Sequence, residues 1–304
     1  MNPDTRAAID ALAADIRSGA SELLPRAVRA LHEAAGEDSE ELWLLARAVG
    51  DAQPAMASFW NAALAALCEH DERGSLERFE QRWRRAGAAL ARTAAEALGP
   101  GDGSPLRVTT WSFSGSVVGC LRAMHARHGV AVTCAEGRPA CEGRRLAETL
   151  AKDGIPVEFY TDAAIGEVLW RESARADLVL VGADAVTPDC VVNKSGTGML
   201  AATASMTGVP VYVAATRDKF VDARVARLLR IPGHDPAEIW NTPPPGVTVR
   251  HPCFERVPID WVTLVVTDAG VLTRDMIGEA CRAASARISD RCLERLIATR
   301  PFVP

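Results

Sequence analysis

Polar residues that could bind or activate a ligand follow several apolar runs in the second half of the chain. Asp184 comes directly after one such run, where a carboxylate can act as a general base or bind ligand hydroxyls. The alternative is that it caps a following helix. Asn193 and Lys194 offer an amide for sugar hydroxyls and a positive charge, and Gly196 behind them suits an anion-binding helix start. Lys219 follows the next apolar run and could reach the same anion.

Three further segments could hold a phosphate group. The polar, glycine-containing turn Thr110–Ser116 leads into a helical stretch, so its amides could cradle a phosphate; a simple helix cap fits the same spacing. Arg138 follows the second apolar run and could bind phosphate through two hydrogen bonds, although a surface ion pair is the alternative. Arg17, Ser18 and Gly19 lie between two helical stretches and fit another helix-start anion site.

Composition excludes several classes of protein. The net charge of -5 argues against a general nucleic-acid binder. The N-terminus shows no signal-peptide pattern, and no apolar stretch approaches the ~18 residues of a membrane span. No GxGxxG motif is present, so no dinucleotide cofactor is expected.

The cysteines and histidines do not suggest a metal site. None of the eight cysteines forms a CxxC pair, and His125 and His128 have no nearby third ligand in the sequence. We therefore expect no metal, and reduced, mostly buried thiols in a cytoplasmic protein.

The elements that must position these residues fall into two parts. Apolar residues recur at helical spacing through residues 1–100, with Ser39 as a helix cap, and a glycine- and proline-rich linker, Gly99–Pro105, follows. From 105 to 304, short apolar runs alternate with helical stretches. The predicted strands are 107–110, 131–134, 157–160, 178–181, 211–215 and 262–266, and the predicted helices are 115–128, 143–153, 164–174, 197–207 and 274–288. This alternation predicts an α/β fold: a helical N-terminal domain, then a Rossmann-like domain with a doubly wound parallel sheet. Such sheets bind ligands beyond the carboxyl ends of their strands.

The ordered set of motifs resembles one family, which contains the alpha, beta and delta subunits of translation initiation factor 2B and isomerases of 5-methylthioribose 1-phosphate and ribose 1,5-bisphosphate. The matching segments are Ile16–Ser21, Thr110–Ser116, Glu136–Pro139, Glu142–Arg145, Tyr160–Ala164, Val181–Val186, Asn193–Thr197, Pro210–Val213, Asp218–Phe220, His251–Glu255 and Thr267–Gly270. They span most of residues 105–280.

The resemblance implies a phosphorylated sugar or nucleoside ligand between the two domains, and a homodimer or a larger homo-oligomer. Transferred by position, Arg17, Ser18, Gly19 and Arg138 would hold phosphate. Asn193 and Lys194 would hold the sugar, with Asp184 as the catalytic carboxylate.

One position departs from the isomerases of the family. They carry a cysteine in the turn after the first strand of this domain, where this chain has Ser112. A serine hydroxyl without an adjacent base is a much poorer proton donor or acceptor than a tuned thiol. Cys134 and Cys141 lie near the second strand end but do not match the position of the family's cysteine.

Two hypotheses follow. The first is an aldose–ketose isomerase acting on ribose 1,5-bisphosphate or a related sugar 1-phosphate, supported by the retention of Asp184. The second is a non-catalytic, ligand-sensing subunit like the initiation factor 2B alpha subunit, supported by Ser112.

Overall fold

The structure, a computed structural model, describes residues 3–34, 39–68, 74–100 and 103–302. Its N-terminal part is helical, as predicted. The bounds are α1 (Pro3–Ala14), α2 (Ala20–Ala34), α3 (Glu40–Ala52), α4 (Ala57–Leu67) and α5 (Ser75–Ala97). The predicted cap is confirmed, because the Ser39 hydroxyl accepts a hydrogen bond from the Leu42 N–H at 3.2 Å.

Helix α4 joins the helical part to the rest of the chain. It is apolar on nearly every face, and Phe59 and Trp60 are fully buried, each stabilising the fold by about 1.5–3 kcal/mol through apolar burial. The Asn61 amide donates hydrogen bonds to the carbonyl oxygens of Asp218 and Phe220 at 2.7 and 3.1 Å. The α4 helix is therefore fixed against the segment that carries Lys219.

The central sheet has seven strands and is mostly parallel, as predicted. The strands are β1 (Leu106–Thr110), β2 (Val130–Ala135), β3 (Val157–Tyr160), β4 (Leu178–Gly182), β7 (Val211–Ala214), β9 (Leu264–Thr267) and β10 (Gly270–Thr273), in the spatial order β10-β9-β7-β4-β1-β2-β3. The apolar runs of the inner strands are buried because helices cover both faces, whereas the edge strand β3 is partly exposed. The exception is β10, which pairs antiparallel with β9 at the edge.

A second, antiparallel sheet was not predicted. It contains β5 (Ala185–Val186), β6 (Cys190–Lys194) and β8 (Phe254–Pro258). Asn193 and Lys194 therefore belong to a strand rather than to the loop before a helix. The sequence concealed this sheet because β5 is very short, and because β8 follows a long polar excursion and pairs with a strand about 60 residues earlier.

The remaining helices mostly match prediction. They are α6 (Gly115–His128), α7 (Glu142–Lys152), α8 (Thr197–Thr207), α9 (Arg274–Ser285) and α10 (Asp290–Ala298). The predicted helix at 164–174 was wrong: only a short 3-10 helix forms over Ile165–Leu169. Its apolar pattern ends there, and Ala174 takes a left-handed backbone conformation.

The C-terminal helix α10 was not predicted, and it packs into the same core as the N-terminal helices. Leu293 and Leu296 are buried in that core, and the Arg47 guanidinium donates to the Leu296 carbonyl oxygen at 3.2 Å. The division at 1–100 and 105–304 stays a prediction, and residues 101–102 of the linker lie outside the described part of the chain.

Candidate functional site

A cleft lies where the helical part meets the carboxyl ends of the parallel strands. The space between its lining residues is about 620 Å³, including the open solvent at its mouth. The lining residues come from the start of α2, the cap of α4, the turn after β1, the start of α7 and the β6 strand: Ile16, Arg17, Ser18, Gly19, Ala20, Ser21, Met56, Trp111, Ser112, Phe113, Ser114, Gly115, Ser116, Glu142, Ala183, Asp184, Asn193, Lys194, Lys219 and Phe254.

Two helices begin at this cleft and meet each other there. A methyl group built on Gly115, the first residue of α6, would lie 3.1 Å from the Ser21 hydroxyl of α2. Among the described residues, no protein group accepts a hydrogen bond from the backbone N–H groups at 19–21 or at 115–116. We call residues 17–21 and 114–116 the open helix starts. Free amides and two helix dipoles favour an anion at this place.

Arg17 adds a positive charge to the open helix starts. The Asp15 carboxylate accepts the backbone N–H groups of Arg17 and Ser18 at 3.1 and 2.9 Å, which fixes the turn before α2. The Arg17 side chain is exposed, and no acidic partner contacts it within the described ranges. It is therefore available to pair with a bound anion.

The turn after β1 has an unusual backbone at the predicted reacting position. Ser112 is buried and has a φ of 60°, which is rare for a residue with a side chain. Next to it, the Trp111 indole donates to the Ser195 carbonyl oxygen at 2.8 Å. Gly196 permits this packing, because a Cβ there would lie 2.2 Å from the indole ring. The turn is thus held rigidly between β1 and α8.

Asp184 and Lys219 line the cleft together. Burial raises the pKa of the Asp184 carboxyl, while the charges of Lys219 and Lys194 act in the opposite direction. The backbone of Asp184 is held from both sides, since its N–H donates to Val192 O at 2.8 Å and its carbonyl oxygen accepts the Ala57 N–H at 2.9 Å. A carboxyl that stands on a fixed backbone and has a raised pKa suits acid–base chemistry.

Lys194 has a partner that the sequence analysis did not identify. Its ammonium forms an ion pair with the Glu142 carboxylate, and it lies 5.7 Å from the Phe254 ring centre. The adjacent Asn193 is buried, and its amide donates to the Thr197 hydroxyl at 2.9 Å. Glu142 lies within the matching segment Glu142–Arg145.

The two arginines of this segment, Arg144 and Arg145, are not among the residues that line the cleft. Arg144 pairs with Glu136 at 3.5 Å. Arg145 pairs with Glu22 of α2 and stacks over Phe113 at 3.9 Å. The hydrogen bond from Arg145 lowers the pKa of the Glu22 carboxyl. Arg145 thus links the two parts of the chain beside the cleft.

The start of α8 is already occupied by a protein carboxylate. One oxygen of Glu255 accepts the N–H groups of Gly196 and Gly198 at 2.7 and 2.8 Å. This contradicts the expectation that the helix start behind Asn193 and Lys194 is free to bind an anion. A distant residue on β8 fills it.

Arg138 lies outside the cleft lining. Its side chain is exposed, and its backbone N–H donates to the Asp162 carboxylate at 2.7 Å. The cysteines near the second strand also lie outside the lining. Burial raises the pKa of the Cys134 thiol to about 12, and the Cys141 thiol contacts the Pro139 carbonyl oxygen at 3.6 Å. Neither thiol can replace the missing cysteine at Ser112.

Two further properties concern the described residues as a whole. No group of three or more histidine, cysteine or acidic side chains within them has an arrangement that could hold a metal ion. No helix in the same ranges is long and apolar enough to cross a membrane.

Comparison with known proteins places this geometry in a family. The sequence model of the initiation factor 2 subunit family matches residues 31–274. A putative translation initiation factor eIF-2B subunit 2-like protein of Pyrococcus furiosus is 32% identical over 243 residues, covering 77% of this chain and 82% of that protein.

Two isomerases share shorter regions with the chain. The methylthioribose-1-phosphate isomerase of Heliobacterium modesticaldum is 40% identical over 167 residues, covering 52% of this chain and 48% of that enzyme. The ribose 1,5-bisphosphate isomerase of Methanocaldococcus jannaschii is 33% identical over 147 residues, covering 47% and 46%. The matches thus span about half the length of these curated enzymes.

Solved structures show the same fold. The translation initiation factor eIF-2B of Pyrococcus horikoshii superposes with a TM-score of 0.73 at 27% identity, covering 90% of this chain and 98% of that one. The 5-methylthioribose 1-phosphate isomerase of the same organism superposes with a TM-score of 0.67 at 21% identity, covering 93% and 87%.

Proposed function

The chain belongs to the initiation factor 2 subunit family, and we propose that it binds a sugar 1-phosphate in this cleft and isomerises it from aldose to ketose. The observation that carries the proposal is Asp184, whose backbone is held from both sides and whose carboxyl has a raised pKa in the same cleft as the open helix starts. The similarity to two sugar-phosphate isomerases supports it.

In the proposed complex, the phosphate lies on the open helix starts and pairs with Arg17. The sugar extends toward Asn193 and Lys194, whose polar groups face its hydroxyls. Asp184 moves the proton between C1 and C2, and Lys219 stabilises the negative charge that develops on oxygen. Ser112 is the residue that fits this mechanism least well, because a hydroxyl transfers a proton far less readily than a thiol.

Proton NMR in deuterated buffer tests the reaction with 5-methylthioribose 1-phosphate and ribose 1,5-bisphosphate. We expect ketose formation with deuterium uptake at C1 or C2 from at least one of the two sugar phosphates. We expect roughly 10²–10⁴-fold slower turnover in Asp184→Asn, the usual contribution of a general acid–base group. Ser112→Cys should accelerate turnover, since a thiol is restored at the reacting turn.

Binding with no product in any of these variants would contradict the isomerase proposal. It would favour the non-catalytic, ligand-sensing alternative that Ser112 suggested. Assembly as a homodimer or larger homo-oligomer and a cytoplasmic location stay predictions from the sequence.

A further inference from the structure

Four charged side chains line the part of the cleft beyond the open helix starts. They are the carboxylates of Asp184 and Glu142 and the ammonium groups of Lys194 and Lys219. Their formal charges cancel. Of these lysines only Lys194 forms an ion pair among the described residues. Lys219 influences Asp184 through its charge without an ion pair, and Arg17 and the free amides of the open helix starts are the other unpaired positive groups of the lining as far as the described residues show.

The ion pair between Glu142 and Lys194 is shielded from solvent. Only 12% of the Glu142 side chain and 15% of the Lys194 side chain are exposed. Bulk salt therefore screens the pair weakly, and each charge largely cancels the other. Lys194 is thus already occupied by a carboxylate before any ligand arrives.

The position of Glu142 is fixed by the backbone. It is the first residue of α7, where the helix dipole favours a carboxylate. The next residue, Gly143, lies so close to β2 that a Cβ there would be 1.7 Å from the Ala135 carbonyl oxygen. The other Glu142 oxygen is buried without a hydrogen-bond partner in the described structure and lies near Gly137. Glu142 therefore has little freedom to move away from Lys194.

We infer that Glu142 is a specificity-determining residue that prevents a second phosphate on the sugar from increasing the affinity of the cleft. The inference rests on the proposed function and deepens it. The single phosphate lies on the open helix starts, and the uncharged part of the sugar extends toward Lys194. A second phosphate at the far end of the sugar would have to compete with Glu142 for the lysine, and its charge would be repelled by that carboxylate.

Isothermal titration calorimetry at constant ionic strength tests this with ribose 1-phosphate and ribose 1,5-bisphosphate. We expect the wild-type chain to bind the bisphosphate no more tightly than the monophosphate. In Glu142→Gln, which keeps the shape and removes the charge, the bisphosphate should bind about tenfold more tightly, because one charge-assisted hydrogen bond from Lys194 becomes available. The monophosphate affinity should change by less than about threefold.

A matched control uses the same substitution at a neighbouring ion pair. Glu136 pairs with Arg144 outside the cleft lining, so Glu136→Gln should leave the affinity ratio of the two ligands unchanged. Thermal melts of both variants check that they fold.

The outcomes separate this inference from the proposed function. A tenfold preference of the wild type for the bisphosphate, or an unchanged ratio in Glu142→Gln, overturns the inference alone. Tight monophosphate binding without turnover overturns only the isomerase proposal. A wild-type chain that binds neither sugar phosphate overturns both.

Discussion

The start of α6 and the start of α8 look alike in sequence but differ in what occupies them. Each follows a strand, contains glycine and serine or threonine, and presents backbone amides. At α6 the amides of residues 115–116 have no acceptor among the described residues, whereas at α8 the Glu255 carboxylate takes those of Gly196 and Gly198. The same contrast holds for charges, since Lys194 is paired with Glu142, whereas Arg17 has no partner in the part of the chain that the structure describes. The cleft thus separates positive groups that the protein has compensated from those left for a ligand.

Glu255→Ala should have the largest effect, because it removes the carboxylate that occupies the start of α8. Two amides then lose a charged acceptor, which should destabilise the fold by about 2–4 kcal/mol. If the helix start is an anion site closed by its own carboxylate, inorganic phosphate should raise the melting temperature of the variant more than that of the wild type. Differential scanning calorimetry with and without phosphate measures both effects.

Glu255→Gln is the matched variant, because its side-chain oxygen can still accept from both amides. It should lose less stability than Glu255→Ala and show less rescue by phosphate. Equal phosphate effects in all three chains would mean that the start of α8 is a purely structural cap.

Features set by local pattern could be predicted from the sequence, whereas pairings between distant residues could not. Local pattern predicted the helical N-terminal part, the parallel strands and the turns that carry Asp184 and Ser112. Those features depend on the periodicity and on turn residues within a few positions.

Pairings over long distances in the chain were not visible. Glu255 contacts α8 across 57 residues of sequence. Glu142 pairs with Lys194 although α7 and the strands β3, β4 and β5 lie between them in the chain. No short-range signal encodes which carboxylate meets which amide or lysine. The prediction of a helix at 164–174 was wrong for a local reason. Its apolar pattern was interpreted as longer than the 3-10 helix that forms over Ile165–Leu169.

The open helix starts are tested by comparing Arg17→Ala with Arg138→Ala. Arg17 lines the cleft and Arg138 does not, although both are exposed and both were expected to hold phosphate. We expect about a tenfold loss of ribose 1-phosphate affinity for Arg17→Ala, the size of one charge-assisted hydrogen bond, and no measurable change for Arg138→Ala.

Calorimetric titration of both variants gives the result directly. Thermal melts should show no loss of stability in either, because both side chains are exposed. A loss of affinity in Arg138→Ala of the same size would show that the cleft closes further around its ligand than the present geometry does.

The negative charge of Asp184 is only partly compensated by the protein, which places it between the paired Lys194 and Arg17. Burial raises the pKa of its carboxyl even though Lys219 and Lys194 oppose the shift, so burial outweighs the two lysines. Between the unfolded value of about 3.9 and the raised folded value, the folded state binds more protons than the unfolded state. The contribution of Asp184 to the free energy of unfolding therefore falls as the pH rises through this window.

Asp184→Asn removes that cost, so the variant should melt at a higher temperature than the wild type at pH 7. The difference should shrink as the pH falls toward about 4, where both forms are uncharged. This is the smallest of the expected effects, because the lysines offset part of the burial. Asp189→Asn, an exposed aspartate nearby in the sequence, should show no such pH-dependent difference. A less stable Asp184→Asn at pH 7 would mean that the charged carboxylate holds Lys219 and Lys194 in place, and that Asp184 belongs with the compensated groups.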